Sequence, residues 1–289
     1  MLRELEEAAR TLPAPRVVLF DWHATLVDTL DAMYHAVDDV LPRLPELGLM
    51  EKLVPADLCK TPEDARLVDY VREHRRLHPK IKADRRISRT DIFEVLFGAD
   101  EDAKHTAHEA FNEAYRHHYG EVHPFEGGEL ELLTEMYELD VHLGILTNRD
   151  REFFEHEFAV VDGGAWLELF DVTICGGDTY RRKPNPEPVL KALDEFGAEP
   201  GPHCWYLGDS TTDVIAAKRA GITSVFFNGT GWEHEWINKI FPGTAAHSHQ
   251  PDAIVDSFRE FRWLVEECLH VGHPWDAEPP FPAAPDASS

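Results

Sequence analysis

Five short apolar runs, separated by stretches of helical periodicity, restrict this chain to few folds. They are Val17-Val18-Leu19-Phe20, His142-Leu143-Gly144-Ile145-Leu146, Asp171-Val172-Thr173-Ile174, Cys204-Trp205-Tyr206-Leu207 and Ser224-Val225-Phe226-Phe227. The first, which ends at Asp21, has the pattern of a buried parallel strand whose carboxyl end delivers a polar residue, and the others are similar runs. The stretches between include Pro188 to Phe196 and Asp213 to Ala220, which carry the spacing of amphipathic helices. Strands alternating with helices predict a parallel α/β sheet.

Residues 30–123 break this alternation. Asp64 to Arg76, Thr90 to Phe97 and Ala103 to Tyr119 read as successive amphipathic helices, which predicts a helical insertion after the first strand. Pro124-Phe125-Glu126-Gly127-Gly128 carries turn residues and marks the return to the core. The expected organisation is a core built from 1–29 and 124–271, a helical cap over 30–123, and a disordered tail over 272–289, where Pro, Ala and Asp offer little to bury.

With 54 acidic against 28 basic residues the formal net charge is −26, a field that repels nucleic acid and anionic membranes. The same field opposes an anionic substrate, so a phosphate site here needs a local cation, a metal or converging amides. One stretch runs against the global charge. From Arg66 to Arg89 there are nine basic and three acidic residues, read either as a solvated helix face or as a patch that gathers an anionic substrate. Cys59, Cys175, Cys204 and Cys268 stand far apart and read as buried free thiols. Met1 to Arg16 lacks an apolar signal-peptide centre and no run approaches the roughly 18 apolar residues of a membrane helix, so a cytoplasmic location without membrane association is expected. His117-His118 and His123 form no evident metal set, since adjacent residues on a helix point about 100° apart, and are expected to be surface histidines.

Four polar clusters follow the strand signals: Asp21-Trp22-His23-Ala24-Thr25, Thr147-Asn148, Lys183-Pro184 and Gly208-Asp209-Ser210-Thr211-Thr212-Asp213. In an open α/β sheet the carboxyl ends of the strands line one crevice, so clusters remote in sequence can converge there. Phosphoryl transfer to water needs a nucleophile, donors for the phosphoryl oxygens, a cation and a proton donor for the leaving oxygen. Asp21 is the candidate nucleophile, Thr147 with the following amides the donors, Lys183 a positive charge, and Asp209 and Asp213 hard oxygen ligands suited to magnesium. Trp22 reads as packing rather than chemistry, given how much surface an indole buries.

Taken in order, these clusters resemble the haloacid dehalogenase superfamily, whose first motif usually reads Asp-x-Asp-Gly-Thr after a strand and is followed by Ser/Thr, Lys and Gly-Asp-x-x-x-Asp motifs. The resemblance spans roughly residues 16–29 and 124–270, and Arg182-Lys183-Pro184-Asn185-Pro186 with Gly208-Asp209-Ser210 looks like the phosphoglycolate phosphatase branch. It implies a Rossmann-like, three-layer α/β core with an inserted α-helical cap that selects the organic portion of the substrate. It also implies a phosphatase that acts on a small phosphorylated metabolite through an aspartyl-phosphate on Asp21. By the same resemblance Thr147 and Asn148 hold the phosphate and Lys183 neutralises it. Magnesium is held by Asp21, the main-chain carbonyl of His23, Asp209 and Asp213, the last directly or through water.

The first motif departs from the family pattern at two positions: His23 stands where phosphatases of the family place a second Asp, the general acid and base, and Ala24 where they place Gly. Imidazole can perform both proton transfers near neutral pH. Two alternatives follow. One is phosphorus–carbon cleavage in the manner of phosphonoacetaldehyde hydrolases, which also carry Trp after the nucleophile but need a Schiff-base lysine, here one of Lys52, Lys60, Lys80, Lys82 or Lys104. The other is a catalytically weakened phosphate-binding or regulatory protein. Oligomeric state and physiological substrate are left open by these residues.

Overall fold

Val17–Phe20 (β1) is fully buried along its length, as a strand covered by helices on both faces must be. A computed structural model of the chain describes residues 2–59, 61–84, 89–118, 121–244 and 248–270. Its contacts define two units, one formed by residues up to Val27 and from Pro124 onward, the other by Asp28–His123. The expected tail, 272–289, lies outside the described residues.

Along the chain, α1 (Leu2–Thr11) precedes β1, and β2 (Val27–Asp28) leads into the inserted helices α2 (Leu30–Val40), α3 (Pro62–His74), α4 (Pro79–Asp84), α5 (Arg89–Phe97) and α6 (Glu101–Tyr115). The core resumes through β3 (His123–Pro124), α7 (Glu129–Glu138), β4 (His142–Leu146), α8 (Arg151–Val160) and β5 (Val172–Ile174). It ends with α9 (Glu187–Phe196), β6 (Cys204–Gly208), α10 (Thr211–Ala220), β7 (Thr223–Phe227), α11 (His234–Ile240), β8 (Ala253–Val255) and α12 (Phe258–His270).

The core sheet has six parallel strands in the order β5-β4-β1-β6-β7-β8. Phe20 pairs with Ile145 on one side and Leu207 on the other, so β1, β4 and β6 end nearly level. The chain runs outward from β1 to β4 and β5, then resumes on the far side of β1 at β6. This reversal opens a crevice at the carboxyl end of β1, the place where open α/β sheets bind ligands.

Strand parity builds the layers. Val17, Leu19, Cys204 and Tyr206 cluster with Val189, Ala192 and Leu193 of α9 and Ala216 and Ala217 of α10. On the opposite face Phe20 meets Phe261 of α12 edge-on at 6.0 Å, and Trp205 meets the same ring at 6.5 Å. The core is thus the three-layer α/β arrangement that the alternation predicted.

Within the inserted unit, α2 packs on α6, which buries the small stripe Ala103, Ala107, Ala110 and Ala114. Helix α3 opens with Pro62 at its first position and a reciprocal cap, Thr61 Oγ1 accepting from Asp64 N–H and Asp64 Oδ2 from Thr61 N–H, both at 3.1 Å. Two members of the basic stretch are neutralised locally, Arg66 by Glu63 at 3.5 Å and Arg72 by Asp69 at 4.0 Å, while Arg75 and Arg76 are exposed and Arg85 and Arg86 lie outside the described residues. Cys175, Cys204 and Cys268 are buried as expected; Cys59 is only half-buried. Among the described residues no helix is long and apolar enough to cross a membrane.

Candidate active site

Asp21 stands one residue beyond β1, and its N–H donates to Leu207 O at 2.9 Å, which extends the β1–β6 ladder by one step and fixes the carboxylate at the crevice. The chain then folds back on itself: Val27 N–H donates to Trp22 O at 3.0 Å and Ala24 N–H to Val27 O at 2.8 Å, with His23 bridged to Val27. This tight return forces Ala24 to φ +60°, a left-handed conformation that costs a residue with a Cβ about 1 kcal/mol relative to Gly. His23 is half-buried, two residues after Asp21. Thr25 is fully buried, and its hydroxyl has no hydrogen-bond partner among the described residues.

Lys183 comes from the loop before α9 and is only 6% exposed. Its ammonium lies 2.8 Å from Asp21 Oδ1, 2.7 Å from Asp213 Oδ1, 2.7 Å from the Tyr206 hydroxyl and 3.1 Å from Leu146 O, so three protons are shared among four acceptors. The lysine is aimed by Asn148. Its Nδ2–H donates to Lys183 O at 3.1 Å and its Oδ1 accepts from Lys183 N–H at 3.0 Å. The Asn148 side chain is therefore committed to the lysine loop. Thr147 is buried next to it, its own N–H donating to Ile174 O at 2.9 Å and its Oγ1 accepting from Arg149 N–H at 3.1 Å.

Asp209 and Asp213 arrive at the start of α10. Ser210 and Asp213 form the helix cap, with Asp213 Oδ2 accepting from Ser210 N–H at 3.0 Å and Ser210 Oγ at 2.7 Å. Asp213 Oδ1 accepts from Lys183 and from the Tyr206 hydroxyl at 3.1 Å. Four donor groups thus surround Asp213, with the single Tyr206 proton shared with Leu146 O at 2.9 Å. Gly208 is required here because a Cβ at that position would lie 2.5 Å from Asp213 Cγ.

Each of Asp21, Asp209 and Asp213 offers a carboxylate oxygen within 4.8 Å of the other two. Burial, reinforced by the charge of Asp213, lifts Asp21 from 3.8 to about 6 even though Lys183 pulls it down. Burial with the charges of Asp21 and Asp213 likewise pushes Asp209 well up. Burial would lower the Lys183 amine, but the two carboxylates hold it above its ordinary value. Three acidic groups around one ammonium leave a deficit of positive charge in a desolvated site. Oxygen donors alone in such a site fit a hard divalent cation such as magnesium better than a thiophilic metal.

A second buried link ties the nucleophile loop to the loop after β4. The indole of Trp22 is fully buried, edge-on to Phe154 at 5.1 Å, Phe158 at 5.8 Å and Trp166 at 5.9 Å. Its Nε1–H donates to Glu157 Oε2 at 2.9 Å, and Glu157 Oε1 pairs with the Arg149 guanidinium. Packing is thus only part of what Trp22 does. Trp22→Phe keeps most of the ring contact but removes the donor to a buried carboxylate, and is expected to lower stability by about 1–3 kcal/mol in urea unfolding. A loss of only a few tenths would show that the hydrogen bond carries no weight.

With this geometry in view, the family model described as haloacid dehalogenase-like hydrolase matches residues 18–227. The chain is a haloacid dehalogenase-like hydrolase. Relatives of this hydrolase include phosphoglycolate phosphatase 1 of Pseudomonas aeruginosa, 26% identical over 92% of this chain and 85% of the relative. The phosphoglycolate phosphatase of Salmonella typhimurium is 29% identical over 85% of this chain and 90% of its own length. Solved structures share the fold at lower identity. A HAD-superfamily hydrolase of subfamily IA from Geobacter sulfurreducens aligns with TM-score 0.52 at 18% identity over 88% of this chain and 97% of its own. CbbY from Rhodobacter sphaeroides in complex with phosphate aligns with TM-score 0.51 at 20% identity over 86% and 96%.

Imine formation, which a Schiff-base variant of this hydrolase would need, requires a neutral amine, and two of the candidate lysines are held toward the charged form. Lys104 is held above its ordinary value by Glu101 and Glu94, and Lys52 by Asp100. Lys82 pairs with Asp38, Lys80 is exposed, and Lys60 lies outside the described residues. Three residues of the site stand outside the motifs: Tyr206, Arg149 and Glu157. Tyr206 shares strand parity with the inward-facing Cys204, a signal that was available; nothing in an acidic residue on an amphipathic helix marked Glu157.

Proposed function

We propose that the chain is a magnesium-dependent phosphatase that acts on a small phosphorylated metabolite through an aspartyl-phosphate on Asp21. The observation that carries this reading is the buried contact of Lys183 with both Asp21 and Asp213 beside Asp209. Asp21 is the nucleophile: its carboxylate attacks phosphorus and the leaving oxygen departs on the opposite side. Lys183 keeps Asp21 ionised and oriented and offsets charge on the phosphoryl oxygens, while Thr147 and the main-chain amide of Asn148 donate to them. Asn148 serves twice, since its side chain sets the lysine loop. Asp21, the His23 carbonyl and Asp209 would hold magnesium, which would supply charge neutralisation for the transferring group. Asp213 orients Lys183 and contributes negative charge to the metal site.

His23 takes the place of the usual acid and base: it protonates the leaving oxygen and then accepts a proton from the water that hydrolyses the aspartyl-phosphate. The relatives point to 2-phosphoglycolate as the first substrate to assay. A panel of phosphate monoesters is expected to reveal magnesium-dependent turnover that Asp21→Asn abolishes. His23→Ala should lower kcat about 10²-fold or more for alkyl phosphates but much less for p-nitrophenyl phosphate, whose leaving group needs no proton. Equal losses on both would remove His23 as the acid for the leaving oxygen and leave only its activation of water, which both substrates share, and no turnover by any form would overturn the phosphatase reading.

A further inference from the structure

The inserted unit brings together a second set of ligating side chains. His35 and Asp39 lie one turn apart on α2, and His118 and Glu121 follow the end of α6. His35 Nδ1 is 3.0 Å from Glu121 Oε2, His118 Nδ1 is 3.7 Å from Glu121 Oε1, and the two imidazole centroids are 5.3 Å apart. One ligand atom from each of His35, His118 and Glu121 lies within 4.8 Å of the other two. The group that converges is therefore not the run of histidines read from sequence: His118 finds its partner on a helix some eighty positions away, and His117 and His123 are exposed. A fourth residue sets the chemistry. His118 Nε2 lies 2.8 Å from Asp39 Oδ2. A carboxylate only accepts, so Nε2 carries a proton toward Asp39, and Nδ1 is the nitrogen that faces Glu121. A carboxylate behind a histidine in this way fixes the tautomer and raises the basicity of the ligating nitrogen.

We propose that His35, His118 and Glu121 form a site for a zinc-class divalent ion in the inserted unit, with Asp39 orienting His118. Two imidazoles and one carboxylate match zinc sites that keep a fourth position for water. Imidazole donors also disfavour magnesium, so this site and the all-carboxylate site in the core take different ions. A bound ion would cross-link α2 to the segment that leaves α6, close to both ends of the insertion, and would raise the melting temperature by mass action. The proposal stands apart from the phosphatase reading, since it uses no residue of the core site.

The test is a titration of the full-length protein with zinc and with cobalt(II) in saturating magnesium. Expected are about one tight equivalent of zinc, a visible cobalt spectrum of the intense tetrahedral type, and a rise in melting temperature on adding zinc. His35→Gln and His118→Gln should each weaken zinc binding at least tenfold, and Asp39→Asn about tenfold, whereas Asp209→Asn in the core should leave it unchanged. These side chains are partly exposed, so the metal-free variants are expected to melt with the wild type, which separates lost binding from lost folding. Zinc affinity unchanged in both histidine variants, or lost instead in Asp209→Asn, would overturn the proposal and reduce the cluster to surface ion pairs.

Discussion

Asp21→Asn is expected to lower kcat by about 10⁴-fold or more, as loss of a nucleophile does, while making the metal-free protein more stable near neutral pH. The second effect follows from the environment of the group. Its carboxyl titrates at 3.8 ordinarily and at about 6 in the folded site, because burial and Asp213 outweigh Lys183. Below pH 3.8 Asp21 is protonated in both folded and unfolded chains and costs nothing. As pH rises through the window from 3.8 to about 6, the unfolded chain releases the proton first, and stability is lost. Above that window the loss is complete, on the order of 3 kcal/mol for a shift of this size. Asparagine mimics the protonated form and escapes it. Melting temperatures in chelator at pH 4 and pH 7.5 check the sign: the variant should gain on the wild type only at the higher pH. A constant difference at both would show that Asp21 ionises as easily in the site as in water.

Lys183→Met carries the largest expected loss of stability. Removal of the ammonium strands Asp21, Asp209 and Asp213 in a desolvated pocket, and breaking a buried ion pair from one side typically costs about 3–5 kcal/mol. The cost should shrink when Asp21 is also Asn, since one of the stranded charges is then gone. A double-mutant cycle by urea unfolding is expected to give a coupling of about 1 kcal/mol or more between the two positions. Strict additivity would mean that the contact at 2.8 Å contributes no net energy.

How far the sequence led depended on how many faces of each element are buried. β1, β4, β6 and β7 are covered on both sides, so their runs are continuously apolar and stand out. β8 is an edge strand of three residues, Ala253-Ile254-Val255, too short to separate from its surroundings. Leu5, Ala8 and Ala9 of α1 do carry a helical stripe, but a decapeptide rich in Glu and Arg offers little else to show that it docks. In the site, Asp21, Lys183, Asp209 and Asp213 were legible because strand ends deliver polar residues to one crevice, and helix spacing puts Asp213 in the first turn of α10. Which atoms meet was not legible. That Asn148 clamps the lysine loop, that Asp213 reaches Lys183, and that Glu157 joins Trp22 to Arg149 depend on loops whose approach is set by tertiary packing. His35 and Asp39 stand one helical turn apart but carry no motif, and the residues that complete their cluster follow another helix.

Asp213 has one further consequence. The same carboxylate holds the amide of Ser210, which starts α10, and the ammonium of Lys183, which belongs to a distant loop. Fraying of the first helical turn therefore takes away one of the lysine's four acceptors, and withdrawal of the lysine loosens the turn. The two belong to one cooperative opening unit, so the rate at which the Ser210 amide exchanges its hydrogen with solvent serves as a clock for how often the catalytic cluster comes apart.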